Sequence, residues 1–307
     1  MFDGILPIYK ERGMTSHDVV FKARKILQMK KIGHSGTLDP EVDGVLLLLL
    51  GGATKVSDYA MDLGKSYRAE VCLGIKTTTE DLTGEILEER TVEGIDISEI
   101  KGILKTMVGE IEQTPPIYSA VKVNGRKLYE YARRGQFDVE IPSRKVNIYN
   151  IEFIDNSEYY KDGKFYFTID INCGKGTYVR TIATSIGEKL NIPSTMSKLT
   201  RTSSGKITID HCLKLADVEK CLKENTLEDK ILKKEYALEE YQFVEIPLFR
   251  AKQVMNGLRF RKNQFPDYDF SNGIVFTYNN EAIAIYYLKD KDDELLSVKT
   301  TFPKILE

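Results

Sequence analysis

An unbroken run of six apolar residues, at positions 45–50, constrains the fold more than any other feature of the chain. Six consecutive apolar side chains are stable only where they leave water. Gly44 precedes the run and Gly51 and Gly52 follow it, so its length and flanks favour a buried strand over a short helix. Asp39 stands shortly before the run. This carboxylate therefore lies either on a solvated turn or at the edge of the core.

Alternating patterns predict two further strands. Residues 67–73 alternate apolar and polar side chains, and residues 164–173 alternate more regularly. The segment GKG ends the second pattern, and residues 181–190 then have the composition of a helix. Tyr178 and Arg180 lie between these two elements. If that junction stays extended, both side chains project to the same side.

A short amphipathic helix is predicted just before the segment that contains Asp39. Thr15 or Ser16 can cap its first turn, where Asp18 is also favourable, and apolar residues recur at helical spacing over positions 19–27. This helix brings the chain to the loop of Asp39, which in turn leads into the apolar strand.

The length of 307 residues predicts one large domain with room for a small second one. Near residue 244, a Lys- and Glu-rich helical region gives way to two strand-like runs that flank an Asn-Asn turn at Asn279 and Asn280. We therefore expect a first domain over residues 1–243 and a second domain over residues 244–307.

Composition limits the location of the protein and its chemistry. The longest apolar run is far shorter than the ~20 residues that cross a bilayer, and the N-terminus lacks the pattern of a signal peptide. We expect a cytoplasmic protein without a membrane partner. Four cysteines without a CxxC pair and only three histidines predict no metal site.

Charge is unevenly distributed along a chain whose formal net charge is only −2. Residues 77–112 carry three basic and ten acidic side chains, whereas residues 118–146 carry seven basic and three acidic ones. Residues 173–206 carry six basic side chains and one acidic, and residues 249–262 carry five basic and none acidic. Such segregation can build a basic surface for nucleic acid, although solvated helix faces give the same counts.

Several motifs together resemble one enzyme family. The segment GHSGTLDP, at positions 33–40, is followed by GVL and GATK, and resembles the signature of the pseudouridine synthases that modify uridine 55 in the T arm of tRNA. Four further segments occur in that family's order and at its intervals: GILPIYKERGMTSHDVV, KSYRAEVCLG, TPPIYSAVKVNGRKLYEYARRG and GKGTYVRTIA. The resemblance covers most of residues 4–206.

The resemblance implies an α+β fold with a mixed, largely antiparallel central sheet and flanking helices. It implies more weakly that the C-terminal residues form a small PUA-like RNA-binding β-barrel. Residues 115–145, with basic side chains at Lys122, Arg126, Lys127, Arg133 and Arg134, match a mobile flap over the RNA. The implied partner is the T-arm stem-loop of tRNA, bound by a monomer.

The resemblance also assigns three catalytic residues. Asp39 matches the essential aspartate, which acts at the sugar either as a nucleophile or as the base that forms a glycal. Because burial raises the pKa of a carboxyl group, an ionised Asp39 needs a positive partner, and Arg180 matches the family's arginine. Tyr178 matches a tyrosine placed to help remove the proton from C5 of the uracil.

Four substrate-binding residues are implied in the same way. Tyr67 matches the tyrosine that stacks on the target base, and Leu199 matches an apolar wall of the base pocket. His34 matches the histidine that fills the space left by the extruded uridine. Lys10 belongs to an opening loop in which the family usually has Lys-Pro-x-Gly, but here Glu11 replaces the proline.

The implied reaction is an isomerisation, so it needs no cofactor. Two other functions are compatible with parts of the sequence. The first is a non-catalytic protein that binds or folds tRNA on the same scaffold, against which Asp39, Tyr67, Tyr178 and Arg180 argue together. The second is a hydrolase with Asp39 as its nucleophile, which lacks a plausible base to activate water.

Overall fold

Ten strands form the central sheet of the computed structural model, which describes residues 2–290 and 292–302. Seven strands follow one another across the sheet in the order β1, β3, β13, β4, β12, β10, β7, and all neighbours are antiparallel except β3 and β13. These strands are β1 (Gly4–Lys10), β3 (Asp43–Leu50), β4 (Lys65–Leu73), β7 (Gly109–Gln113), β10 (Arg144–Phe153), β12 (Lys164–Cys173) and β13 (Ser194–Ser204). Three short strands extend it: β2 (Ile32–His34), β11 (Tyr159–Lys161) and β14 (Ile207–Thr208).

The apolar run at 45–50 forms the greater part of β3, as predicted, and every residue of β3 from Gly44 onward is buried. Its two faces pack against different parts of the molecule. Leu46, Leu48 and Leu50 belong to a core cluster beneath the helices. Val45 and Leu47 belong to a second cluster on the other face. A strand covered on both faces explains why the run has no polar alternation.

Helices cover one face of the central sheet, so the predicted α+β class and largely antiparallel sheet are confirmed. Those on this face are α1 (Ser16–Leu27), α3 (Ile97–Thr106), α5 (Val179–Leu190) and α6 (Leu215–Lys223). The other helices are α2 (Ser57–Asp62), α4 (Leu128–Ala132) and α7 (Leu248–Met255). Thr15 caps α1, and its side chain and that of Asp18 form a reciprocal capping box. In the described part of the chain, no helix has the length and apolar character required to cross a membrane.

The junction before α5 is extended only as far as Tyr178. Tyr178 occupies the N-cap position with an extended backbone, and Arg180 already lies in the first helical turn, so the condition for a shared direction of the two side chains is not met. The helix begins two residues before the predicted start because Gln113 holds the backbone of Tyr178 through two hydrogen bonds. That constraint comes from β7, which is distant in sequence.

A second sheet of five strands begins at Gln242 and follows the order β15, β17, β18, β19, β16. Its strands are β15 (Gln242–Glu245), β16 (Phe260–Arg261), β17 (Ile274–Tyr278), β18 (Glu281–Tyr287) and β19 (Leu295–Thr301). The predicted Asn-Asn turn joins β17 to β18, with positive φ angles at Asn279 and Asn280. The sheet curls in the manner of a PUA-like half-barrel.

Two separate hairpins complete the fold. The first pairs β5 (Ile75–Thr77) with β6 (Ile86–Glu89). The second pairs β8 (Lys122–Val123) with β9 (Arg126–Lys127) and is followed directly by α4, so it lies within the basic segment that matches the family's flap. Lys122 and Arg126 are exposed there, as are Arg133 and Arg134 beyond α4.

The two sheets share a hydrophobic cluster. Leu47 of β3 and Tyr59 of α2 belong to the same cluster as Val275, Ile285 and Phe302 from the C-terminal part. Polar contacts reinforce this junction: the Tyr59 hydroxyl lies 3.0 Å from that of Thr300. The domain boundary between residues 243 and 244 remains a prediction: each part has a core cluster of its own, and this third cluster joins the two.

This shared cluster predicts that the first domain is destabilised when it is produced alone. A chain that ends at residue 243 lacks the C-terminal side chains that cover Leu47 and Tyr59. Fully burying one large apolar side chain contributes about 1.5–3 kcal/mol, so we expect several kcal/mol less free energy of unfolding than in the full chain. Thermal unfolding followed by circular dichroism measures this difference. Equal melting temperatures for the two chains would contradict a structural role of the shared cluster.

Candidate active site

A cleft of about 840 Å³ opens beside the ends of β4, β10 and β12, a volume within the range of small-molecule sites. Five of the seven residues that the sequence suggested for the site lie in its wall. They are Asp39, Tyr67, Tyr178, Arg180 and Leu199. They come from four separate segments of the chain, so the fold brings together residues that are up to 160 positions apart in the sequence.

Asp39 lies on the loop between β2 and β3, and neighbouring residues fix that loop on both sides. Leu38 is buried and its amide donates to the Ser16 hydroxyl at 2.8 Å. Val42 is buried too, and its amide donates to the carbonyl oxygen of Asp39 at 3.1 Å. The Asp39 side chain itself is 43% exposed. It therefore faces the cleft from the edge of the core. Of the two positions that the sequence allowed, a solvated turn and the edge of the core, the structure shows the second.

Arg180 supplies the positive partner of Asp39. One guanidinium nitrogen, Nη2, lies 3.1 Å from Oδ2 of Asp39 and donates to the carbonyl oxygen of Tyr118 at 3.0 Å. Nη1 donates to the carbonyl oxygen of Thr79 at 2.9 Å. The Arg180 side chain is only 6% exposed. Two carbonyl groups thus hold the guanidinium in place beside the carboxylate.

Tyr178 is fixed through its backbone and its ring. Its amide donates to Oε1 of Gln113 at 2.7 Å, and its carbonyl oxygen accepts from Nε2 of the same side chain at 3.0 Å. The guanidinium carbon of Arg144 lies 4.9 Å from the centre of the ring. This cation–π contact and the buried Gln113 fix the direction of the ring along the wall of the cleft.

Tyr67 and Leu199 line the cleft from the adjacent antiparallel strands β4 and β13. Leu199 is 7% exposed and belongs to the core cluster beneath the helices, and Tyr67 packs against the same cluster. The cleft therefore has one apolar wall with an aromatic ring beside it. A flat ring such as a nucleobase can stack on a wall of this kind.

The position of Lys10 does not agree with the expected contact to a ligand. Its side chain is fully buried, and Nζ donates to the carbonyl oxygens of Glu11, Met14 and Pro40 at 3.1, 2.6 and 3.2 Å. All three donors of the ammonium group are therefore used within the protein. Lys10 thus ties its own loop, at Glu11 and Met14, to Pro40, the residue that follows Asp39.

His34 also lies outside the wall of this cleft. It is on β2, where it pairs with Leu48 of β3, and it is half-buried. Burial lowers the pKa of its imidazole, so the ring is neutral at neutral pH. Its expected role in filling the space left by an extruded base remains a prediction.

The sequence analysis missed two cations on the floor of the cleft, Lys65 and Arg201. Their side chains are buried, although Arg201 was counted only among the basic side chains of residues 173–206 and Lys65 was given no role. A signal was present in the spacing: Lys65 is two residues before Tyr67, and Arg201 is two residues after Leu199. In a strand, residues two apart share a face, so both cations had to lie on the face of the predicted site residues.

The wall of the cleft offers the accessible carboxylate of Asp39, an apolar surface with tyrosine rings beside it, and several positive charges. An ionised carboxylate can attack an electron-poor carbon or take a proton from it. The surrounding cations favour a ligand that is negatively charged or becomes so during the reaction.

Comparison with known proteins shows which proteins the chain is similar to. The family model described as "TruB family pseudouridylate synthase (N terminal domain)" matches residues 24–179. The tRNA pseudouridine synthase B of Staphylococcus haemolyticus strain JCSC1435 is 47% identical over 307 residues, which cover 98% of this chain and all of that protein. The enzyme of the same name from Staphylococcus saprophyticus subsp. saprophyticus is 50% identical over 292 residues, 93% of this chain and 94% of that protein.

Solved structures show the same fold. A chain in the crystal structure of a Cbf5-Nop10-Gar1 complex is similar with a TM-score of 0.72 at 25% identity, over 98% of this chain and 85% of that one. A chain of the archaeal box H/ACA sRNP Nop10-Cbf5 complex is similar with a TM-score of 0.69 at 22% identity, over 98% of this chain and 88% of that one. Both similarities extend over the C-terminal sheet as well as the central one.

The buried Lys65 predicts a measurable dependence of stability on pH. Burial lowers the pKa of its ammonium group from 10.5 to about 8. Between these values the unfolded chain keeps a proton that the folded protein has lost, so the free energy of unfolding rises with pH in this window. At about 1.4 kcal/mol per pKa unit, the increase reaches about 2–3 kcal/mol between pH 7.5 and 10.

Urea denaturation of the wild type and of Lys65→Met, at a series of pH values, isolates this effect because all other groups titrate in both proteins. The stability of the wild type relative to the variant should rise across the window. A difference that stays constant with pH would show that Lys65 titrates normally and is not buried as described.

Proposed function

The chain belongs to the TruB family of pseudouridylate synthases, and from that membership we propose that it isomerises uridine 55 in the T arm of tRNA to pseudouridine, with Asp39 acting at the sugar. Synthesis of pseudouridine in tRNA is the activity named for its close relatives along nearly their whole length. The position in the T arm and the roles of individual residues are the parts that this proposal adds.

One observation carries the assignment of Asp39: its carboxylate lies 3.1 Å from a guanidinium nitrogen of the buried Arg180 while nearly half of its own side chain faces the cleft. A solvated turn residue has no need of a fixed, buried cation beside it. A reactive carboxylate does, because it has to remain ionised while it approaches an apolar wall. The ion pair therefore supports a catalytic role.

The reaction rearranges bonds without adding or removing atoms. The bond from C1′ of the ribose to N1 of uracil breaks, the base turns, and a bond forms from C1′ to C5. Asp39 acts in the first step, either by bonding to C1′ or by taking a proton from the sugar to form a glycal. When C5 bonds to C1′, Asp39 leaves C1′ or returns the proton to the sugar. C5 then loses its proton and N1 gains one from solvent, and we assign to the Tyr178 hydroxyl the role of accepting or relaying the C5 proton.

The basic segments support an RNA substrate. Lys122 and Arg126 on the hairpin, and Arg133 and Arg134 after α4, are exposed close to the chain that contacts Arg180 through Tyr118. Exposed lysine and arginine side chains bind phosphates without reading sequence. The hairpin thus fits the role of a cover that closes over the RNA backbone while the target base occupies the cleft.

Release of tritium from T-arm RNA labelled at C5 of uracil tests the proposed function directly. Isomerisation has to release that proton, whereas binding cannot. The protein should release tritium equal to one label per uridine converted, and RNA with cytidine at position 55 should give none. Tight binding without release would support instead the non-catalytic tRNA-binding protein that the sequence left open.

Replacing Asp39 by asparagine separates charge from shape. Asparagine keeps the volume and most of the hydrogen-bonding capacity, so the fold and the affinity for T-arm RNA should change little. Tritium release should vanish, because an amide can neither attack C1′ nor take a proton from the sugar.

Glu41→Gln is the matched control, since it makes the same chemical change two residues later at an exposed position of the same loop. It should release tritium at the rate of the wild type. Wild-type release by Asp39→Asn would exclude the catalytic role, and loss of both release and binding would indicate a structural one.

Replacing Tyr178 by phenylalanine keeps the ring and removes the hydroxyl. RNA binding should be retained, because the contacts to Gln113 are made by the backbone and the contact to Arg144 is made by the ring. Turnover should fall by ~100-fold or more, as is typical when a general base is lost. Tyr159→Phe, on the opposite face of the sheet, serves as control, and equal turnover in the two variants would assign Tyr178 to packing alone.

A further inference from the structure

Arg201 is the most deeply buried charge in the cleft and no part of the proposed mechanism uses it. Its side chain is 1% exposed, yet it lines the cavity that contains Asp39. Nε donates to the carbonyl oxygen of Val45 at 2.6 Å. Nη2 is buried and has no hydrogen-bond partner among the residues that the structure describes. One end of the guanidinium is therefore fixed, and the other has unused donor capacity.

A buried charge of this kind is costly unless something compensates it. Arg180 has Asp39 and two carbonyl groups. Arg201 has no carboxylate within ion-pair distance in the described part of the chain, and neither has its neighbour on the floor, Lys65. The positive charge of Arg201 also helps to lower the pKa of Lys65. Lys65 donates to the carbonyl oxygens of Met61 and Leu63, each at 2.6 Å, but neither cation has a carboxylate partner among the described residues. Two neighbouring cations without an anionic partner there indicate that negative charge arrives with the ligand.

The register of the sheet places Arg201 beside the residue that is proposed to stack on the base. Arg201 of β13 is directly opposite Tyr67 of β4 in the antiparallel pair. Opposite residues in such a pair project to the same face, with their Cβ atoms about 4.5–5.5 Å apart. Burial raises the pKa of the Tyr67 phenol, and the charge of Arg201 opposes that increase. The guanidinium therefore lies next to the tyrosine ring.

We propose that Arg201 stabilises the negative charge that the uracil ring carries while it is detached from the ribose. This inference rests on the proposed function. When the bond from C1′ to N1 breaks, both of its electrons remain with the ring, which becomes an anion with charge on N1 and the two carbonyl oxygens. When C5 bonds to C1′, the same electron pair returns to the sugar and the charge on the ring disappears.

The proposal holds for either role of Asp39. Attack of the carboxylate on C1′ and removal of a sugar proton to form a glycal both expel the ring with its electron pair. In both cases the charge develops on the base and not on the sugar. A preorganised cation at that position lowers the barrier without moving, which is the most effective form of electrostatic catalysis.

A purely structural role accounts for only part of the geometry. The bond from Nε to Val45 links β13 to β3 where the strands run parallel, and Gly44 allows their close approach because a Cβ there would lie 2.1 Å from the carbonyl oxygen of Arg201. A neutral donor could make that bond. A structural role therefore does not explain why the group at this position is charged, or why its Nη2 has no partner in the described part of the chain.

Two substrates separate the electrostatic role from the structural one. T-arm RNA with uridine or with 5-fluorouridine at the target position is compared in single-turnover reactions, followed as loss of the starting nucleoside after nuclease digestion. Fluorine withdraws electrons, so the detached ring is a more stable anion and needs less help from the protein. Arg201→Gln should slow the reaction of uridine by ~100-fold, the size of effect seen when one charge-stabilising donor is removed. With 5-fluorouridine the loss should be several-fold smaller.

Arg68→Gln is the matched control, because Arg68 follows Tyr67 on the same strand but its exposed side chain pairs with Asp170 on the other face. It should react like the wild type with both substrates. Arg201→Lys keeps the charge, so it should retain more activity than Arg201→Gln and should show the smaller loss with 5-fluorouridine as well. Thermal unfolding and RNA binding are measured for every variant.

An equal loss with both substrates would overturn the proposal, as would wild-type activity in Arg201→Gln. Failure of both Arg201 variants to fold would assign the residue to the fold and overturn it too. These outcomes are distinct from failure of the proposed function, in which the wild type itself would not convert uridine.

Discussion

The contact between the guanidinium of Arg180 and the carboxylate of Asp39 is the constraint on which the site depends. An almost completely buried guanidinium is costly unless polar groups or an opposite charge compensate it. Three segments meet that need: the loop of Asp39, the turn at Thr79 and the chain at Tyr118. Each is otherwise an irregular connection, and their convergence on one side chain gives the cleft its shape.

The strand β3 shows how the same sequence serves two cores. Alternate residues enter the cluster beneath the helices and the cluster shared with the C-terminal sheet. Asp39 reaches the cleft because it precedes this strand, and the strand cannot shift by one residue without exchanging its two faces. The register with β1 and with β13 is thereby fixed, and this register also fixes the positions of the residues that line the cleft.

Local pattern was sufficient to predict β3, β4, β12 and the cap of α1, because each depends on spacing within one segment. The motif residues Asp39, Tyr67, Tyr178, Arg180 and Leu199 were found through a family resemblance, and they do line one cleft. The sequence pattern did not predict the features that depend on contacts with residues distant in sequence. Lys10 is buried by carbonyl groups of its own loop and of Pro40, and the start of α5 is set by a glutamine on β7. Lys65 and Arg201 were hidden because a charged residue in an alternating strand normally faces water.

The shared cluster between the two sheets has a consequence for the substrate. Lys55 donates to the carbonyl oxygen of Thr301 at 2.7 Å, and Lys299 lies over the ring of Tyr59, so the last strand is attached to the catalytic half beside the cleft. These contacts and the shared cluster set the distance between the cleft and the basic stretch at 249–262. If that stretch binds the proposed RNA substrate, an RNA whose reactive loop and flanking helix do not match this distance has to deform, at an energetic cost, before its base can enter.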